Sequence, residues 1–119
     1  MKGLATVLVV LVALLHAYFM VLEMFLWTTP AGRRAFGTTP EQAEQSKVLA
    51  MNQGLYNGFL AAGLLWGCSL GDAGRRVIVF FLLCVIAAGL FGAATASRKI
   101  LWVQAVPGVV ALVVVLVSA

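Results

Sequence analysis

Residues 3–22, GLATVLVVLVALLHAYFMVL, are consecutive positions without a single Asp, Glu, Lys or Arg. A helix needs about 20 such residues to cross a hydrocarbon core. Three further runs, 48–71, 77–97 and 100–119, are likewise free of formal charge. Four runs predict four transmembrane helices. The composition agrees: 63% of the 119 residues are hydrophobic and 10% charged, with a mean hydropathy of +1.07. A soluble domain of this length has too much surface for its volume to hide that much apolar area. Lys2 before an apolar run also suggests a secretory signal. The run is too long for a signal's hydrophobic core, however, and no small-x-small cleavage site follows it.

Working outward from these runs, the chain reads as one all-α transmembrane domain with helices at about 3–27, 40–69, 75–96 and 100–117. Trp27 marks an interface. The connector 28–39 contains Pro30, Gly32 and Gly37, all turn residues, and reads as a loop. Thr39-Pro40-Glu41-Gln42 reads as a helix start: Thr39 can cap, Pro40 suits the first turn, and Gln42 is placed to complete a capping box. The second helix therefore begins outside the membrane and enters it near Val48. Short connectors at 71–74 and 97–99 make neighbours antiparallel, which gives an up-down-up-down bundle.

The formal charge of +4 does not indicate nucleic acid. The basic residues stand in pairs at helix ends (Arg33–Arg34, Arg75–Arg76, Arg98–Lys99), with no basic face interleaved with aromatics. They are topology signals. Arg33, Arg34, Lys47, Arg98 and Lys99 fall on one side, and Lys2, Arg75 and Arg76 on the other. The richer side is expected in the cytoplasm, leaving both termini together on the extracytoplasmic face of the cell membrane. Cys68 and Cys84 lie at different depths, so no disulfide is expected.

The informative residues are those that do not belong in lipid. His16 and Glu23 are seven apart on the first helix, hence on one face. Gln53 and Asn57 are four apart on the second, with Asn52 and Tyr56 on an adjoining stripe, and the fourth helix contributes Gln104. At 1.5 Å per residue, Glu23 lies roughly 10 Å from His16 towards the first connector. Asn52, Gln53 and Gln104 are displaced the same way. This places an outer layer of Glu23, Asn52, Gln53 and Gln104 over an inner pair, His16 and Asn57. Asn and Gln often only fasten membrane helices together, each such bond contributing about 0.6–2 kcal/mol. An intramembrane carboxyl is costlier and is a functional candidate by default.

Gly54, Gly58 and Ala62 form a small-residue stripe on the second helix, and Gly89 and Ala93 repeat the spacing on the third. Such stripes allow close helix packing and offer a face for a homo-oligomer. Pro107 should kink the fourth helix by removing a bond to the Val103 carbonyl. No His/Cys cluster has metal spacing, no glycine loop cradles a phosphate, and no Ser-His-acid set is present. Neither a metal nor a cofactor is expected, and the expected partners are membrane lipids.

Three segments carry a family resemblance. They are Leu22-Glu23-Met24-Phe25-Leu26-Trp27-Thr28-Thr29-Pro30 with Gly32 and Ala35-Phe36-Gly37; Asn52-Gln53-Gly54-Leu55-Tyr56-Asn57-Gly58-Phe59-Leu60-Ala61-Ala62-Gly63; and Val103-Gln104-Ala105-Val106-Pro107. Together they resemble the small bacterial and fungal proteins catalogued as domain of unknown function 1304. The resemblance implies a four-helix membrane protein without an established activity.

Three functions remain open on the sequence. The polar residues could bind a small polar molecule, an ion or a lipid headgroup. They could serve an enzyme of isomerase- or epimerase-like proton transfer on a lipid-soluble substrate, with Glu23 as acid or base and His16 or Tyr56 assisting. Or the chain could be a structural partner subunit in which they only join helices.

Overall fold

A computed structural model describes residues 3–118, and Lys2, counted above for topology, lies outside them. The described chain is all-helical, without a strand. It contains α1 (Gly3–Met24), α2 (Pro30–Phe36), α3 (Pro40–Ser69), α4 (Arg75–Thr95) and α5 (Val106–Val117). A 3₁₀ turn, Gly71–Gly74, leads into α4, and a π turn, Leu101–Ala105, leads into α5.

The connector after α1 is not a plain loop. Thr29 caps α2, its hydroxyl accepting from the Gly32 N–H at 3.3 Å and donating to the Leu26 carbonyl at 2.6 Å. Pro30 takes the first helical position, where a missing N–H costs nothing. Gly37 ends α2 in the left-handed region at φ 67°, a conformation that favours glycine. At the start of α3 the capping box forms in both directions. The Gln42 N–H donates to the Thr39 hydroxyl at 3.1 Å, and the Thr39 N–H donates to the Gln42 side-chain oxygen at 3.0 Å.

The chain divides into two compact units, one formed by the residues before 14 and after 61, the other by Leu14–Ala61. In the first unit, α4 lies directly on the π turn. A Cβ on Gly89 would stand 2.8 Å from the Ala105 nitrogen and 3.0 Å from its Cα. The two backbones touch there because neither position carries a larger side chain. In the π turn, the Val106 N–H reaches back to the Leu101 carbonyl, one residue further than in an α-helix. The turn immediately before Pro107, the position where a kink is expected, is thus widened. In the second unit, α1 and α3 meet along Gly54 and Gly58, and α2 closes the hairpin between them. The Trp27 indole N–H donates to the Ser46 hydroxyl at 3.1 Å, and its ring stacks at a tilt on Phe36, centroids 4.8 Å apart.

α1 buries its histidine and its carboxyl along with apolar residues, and a row of large apolar side chains runs along its exposed side. Leu4, Val7, Leu11, Leu14, Tyr18, Val21 and Phe25, spaced alternately three and four apart, are all exposed. Ala5, Val9 and Val12 are buried, and so are His16 and Glu23.

Two helical segments, Gly3–Met24 and Gly71–Thr95, are long and apolar enough to cross a membrane; Leu101–Val117 is apolar but shorter. Freedom from charge is a weaker condition than hydropathy. The second charge-free stretch, in α3, contains Asn52, Gln53, Tyr56 and Asn57, and these lower its hydropathy.

Candidate functional site

Glu23 is the deepest carboxyl among the described residues, with 3% of its surface exposed. α1 carries it on the same stripe as His16, which is fully buried and meets the Phe19 ring edge-on at 5.3 Å. What brings α3 to Glu23 is the absence of side chains on the facing helix. A Cβ on Gly54 would lie 2.7 Å from Met24 Cγ and 2.9 Å from Glu23 Cβ, and one on Gly58 would lie 2.7 Å from Met20 Sδ. Any larger residue would hold the helices apart. On this close-packed stripe the one strongly polar group is Asn57, three residues after Gly54.

The Asn57 side-chain amide donates to Glu23 Oε1. Glu23 and Asn57 are thus joined across the helix pair, with His16 two turns along α1 on the buried face. Asn57 engages one carboxyl oxygen of Glu23, and a carboxylate has acceptor capacity on both.

The rest of the layered arrangement read from the sequence is not assembled around Glu23. Asn52 and Gln53 are exposed, and neither hydrogen-bonds to Glu23. The depth argument set Glu23 level with these two and His16 level with Asn57. The observed pairing is displaced by about one helical turn, or 6 Å at 1.5 Å per residue. The cause is local: α1 ends at Met24 rather than Trp27, and α2 occupies the connector, so a simple hairpin count misplaces α3. Tyr56 is exposed and packs against Phe59, ring centroids 6.0 Å apart. Gln104 belongs to the other unit, where its side-chain amide donates to the Val85 carbonyl at 3.2 Å.

Sequence reasoning did not find Ser46 or the capping role of Thr29, although Thr29-Pro30 repeats the Thr-Pro signal that was read at Thr39-Pro40. Nor did it find the surface depression of about 360 Å³ lined by Pro30, Arg33, Arg34 and Thr38. His16, Glu23 and Asn57 do not line it. Cys68 and Cys84 are free thiols. Among the described residues, no three His, Cys, Asp or Glu side chains gather in a way that could hold a metal.

A family model described as "Protein of unknown function (DUF1304)" matches residues 10–116. The chain is similar to the uncharacterized protein YpaA of Lactococcus lactis subsp. lactis (strain IL1403). The two share 33% identity over 115 residues, covering 95% of this chain and 97% of that protein. No solved structure matches it.

Proposed function

The chain belongs to the DUF1304 family, and we propose that it is a four-span integral membrane protein whose Glu23 binds a small cation or polar molecule in the membrane. The observation that carries this reading is the inverted polarity of α1. A helix in water turns its charged and polar residues outward. This one buries His16 and Glu23 and exposes six large apolar or aromatic side chains, with Phe25 continuing the row just past its end. Lipid is the solvent in which that arrangement is favourable. The spans would be α1, the membrane part of α3, α4 and α5 with its π turn.

Topology is tested by single cysteines placed in a Cys68→Ala/Cys84→Ala background. Glu41→Cys and Arg98→Cys should react with a membrane-impermeant maleimide from one face only, and Asp72→Cys and Ser118→Cys from the other. Reaction of residues 41 and 72 from the same face would remove the four-span arrangement.

A buried carboxyl with no cationic partner either holds a proton or takes a ligand. The depth of Glu23 and the two-oxygen acceptor capacity of its carboxyl support the second role, and the Asn57 amide fixes the orientation of the group. A hydrophobic carbodiimide, which modifies carboxyls within membranes, should label Glu23 in the folded protein. A ligand occupying the site should protect it, and monovalent cations and small polar solutes are the first compounds to screen for protection. A Glu23 that stays unlabelled in the native protein and is labelled only after unfolding would be sealed by Asn57. The pair would then be a lock between helices and nothing more.

A further inference from the structure

We propose that the depression formed by Arg33, Arg34, Thr38 and Pro30 is a phosphate site, and that its occupant is the headgroup of an anionic phospholipid. The proposal rests on the membrane reading only for the source of the phosphate.

Its frame is the end of α2. The N–H groups of Gly37 and Thr38 both turn back onto the Arg33 carbonyl, Thr38 at 3.1 Å. This closure, with Gly37 left-handed, folds the chain back over the last turn of the helix. It sets the Thr38 side chain beside that of Arg33, and both line the depression with Arg34.

Three observations point to an anion. Two adjacent guanidinium groups share the depression, and among the described residues neither forms an ion pair with a carboxylate. Arg33 Nε and Thr38 Oγ1 are both buried without a hydrogen-bond partner. Buried polar groups of this kind carry a desolvation cost that a partner relieves. The third is chemical. An arginine fork matches two oxygens of one phosphate, and a neighbouring hydroxyl can donate to a third. A metal cation is repelled by this donor set, and a purely apolar ligand would leave both buried groups unpaired.

The position selects the source. α2 follows the apolar α1 directly, and Trp27, in the connector beside it, packs on Phe36. Phe25 and Phe36 are exposed, and Phe36 follows Arg34 by two residues. Aromatic side chains beside basic ones are what a segment at the headgroup level presents to a bilayer. A phosphate reaching this depression at that level is most readily part of a lipid.

Native mass spectrometry of the full chain in detergent micelles tests the assignment, with phosphatidylglycerol, phosphatidylcholine and inorganic phosphate offered separately. The wild type should retain phosphatidylglycerol. Arg33→Gln/Arg34→Gln should weaken retention at least tenfold, and Thr38→Val should weaken it measurably while leaving net charge unchanged. Arg98→Gln/Lys99→Gln removes the same charge elsewhere and should retain the lipid as the wild type does. Equal losses in the two double variants would reduce the effect to general surface charge and overturn the site. Equal retention of phosphatidylcholine would overturn the anionic-lipid assignment. Displacement of phosphatidylglycerol by millimolar inorganic phosphate would overturn the lipid source in favour of a soluble anion. That last arm needs no bilayer, so its result is independent of the four-span reading. Helical content by circular dichroism confirms that each variant is folded.

Discussion

Gly89→Leu should destabilise the protein by about 3 kcal/mol, the upper end of the range for overfilling a packed contact. The position leaves no room for adjustment by side chains. An added Cβ meets the Ala105 nitrogen at 2.8 Å and the Ala105 Cα and Cβ at 3.0 Å. Two of these three atoms are backbone, so α4 and the π turn must move apart as rigid pieces. Their separation also breaks the hydrogen bond from Gln104 to the Val85 carbonyl. Gly92→Ala is the matched control. Its Cβ meets only the Ile100 side chain, at 3.2 Å, which can rotate away. Thermal unfolding in detergent should show a large drop in Tm for the first and a small shift for the second. A Gly89→Leu protein that melts with the wild type would mean that α4 and the π turn are not in backbone contact.

The second large effect is expected at Asn57. Asn57→Leu leaves Glu23 buried without its donor, and a buried polar group stripped of its partner costs about 1–3 kcal/mol, more if it is charged. Glu23→Leu/Asn57→Leu removes both polar groups and should recover most of that loss, because a matched apolar pair restores consistency to the interface. Glu23→Gln keeps the shape and an acceptor and should fold normally, while losing all carbodiimide reactivity at this position. The coupling energy from the cycle should fall at about 0.6–2 kcal/mol, the scale of polar contacts between membrane helices. A neutral Asn57→Leu would show that Glu23 finds its donor elsewhere, and the site built on this pair would fall with it.

The helical character was legible because it depends on long runs, and long runs average out local detail. The start of α3 was legible too, because Thr39 and Gln42 act on each other over three residues. α2 was not, although Thr29, Pro30 and Gly37 are its start and stop signals. Seven residues containing Gly32 and two arginines have no hydrophobic period to join those signals, so they read as separate turn residues. At the site, Glu23 and Asn57 stood out as polar residues set among largely apolar neighbours in the sequence. Asn52 and Gln53 were grouped with them on depth alone. Which side of α3 faces α1 is decided by Gly54 and Gly58, residues chosen for what they lack, and the depth count did not weigh that. Gln104 was visible as a polar residue in an apolar helix. Its partner, the Val85 carbonyl, depends on the geometry of the π turn, which no local signal announces.

That turn has an effect on the phase of everything after it. A helix counted at 3.6 residues per turn advances 100° at each position, and the longer bond from Val106 to Leu101 interrupts the count. Residues before and after it therefore keep separate angular origins. Gly108, Ala111 and Val115 form a clean buried line within α5, but extrapolation from Ile100 assigns them the wrong azimuth. The widened turn is equivalent to one inserted residue, and its upstream side is only the short link 97–100. A length change there can be absorbed by rotating the link, leaving the inward line of α5 where it is. The same change in the middle of α4 would turn half of that helix away from its contacts.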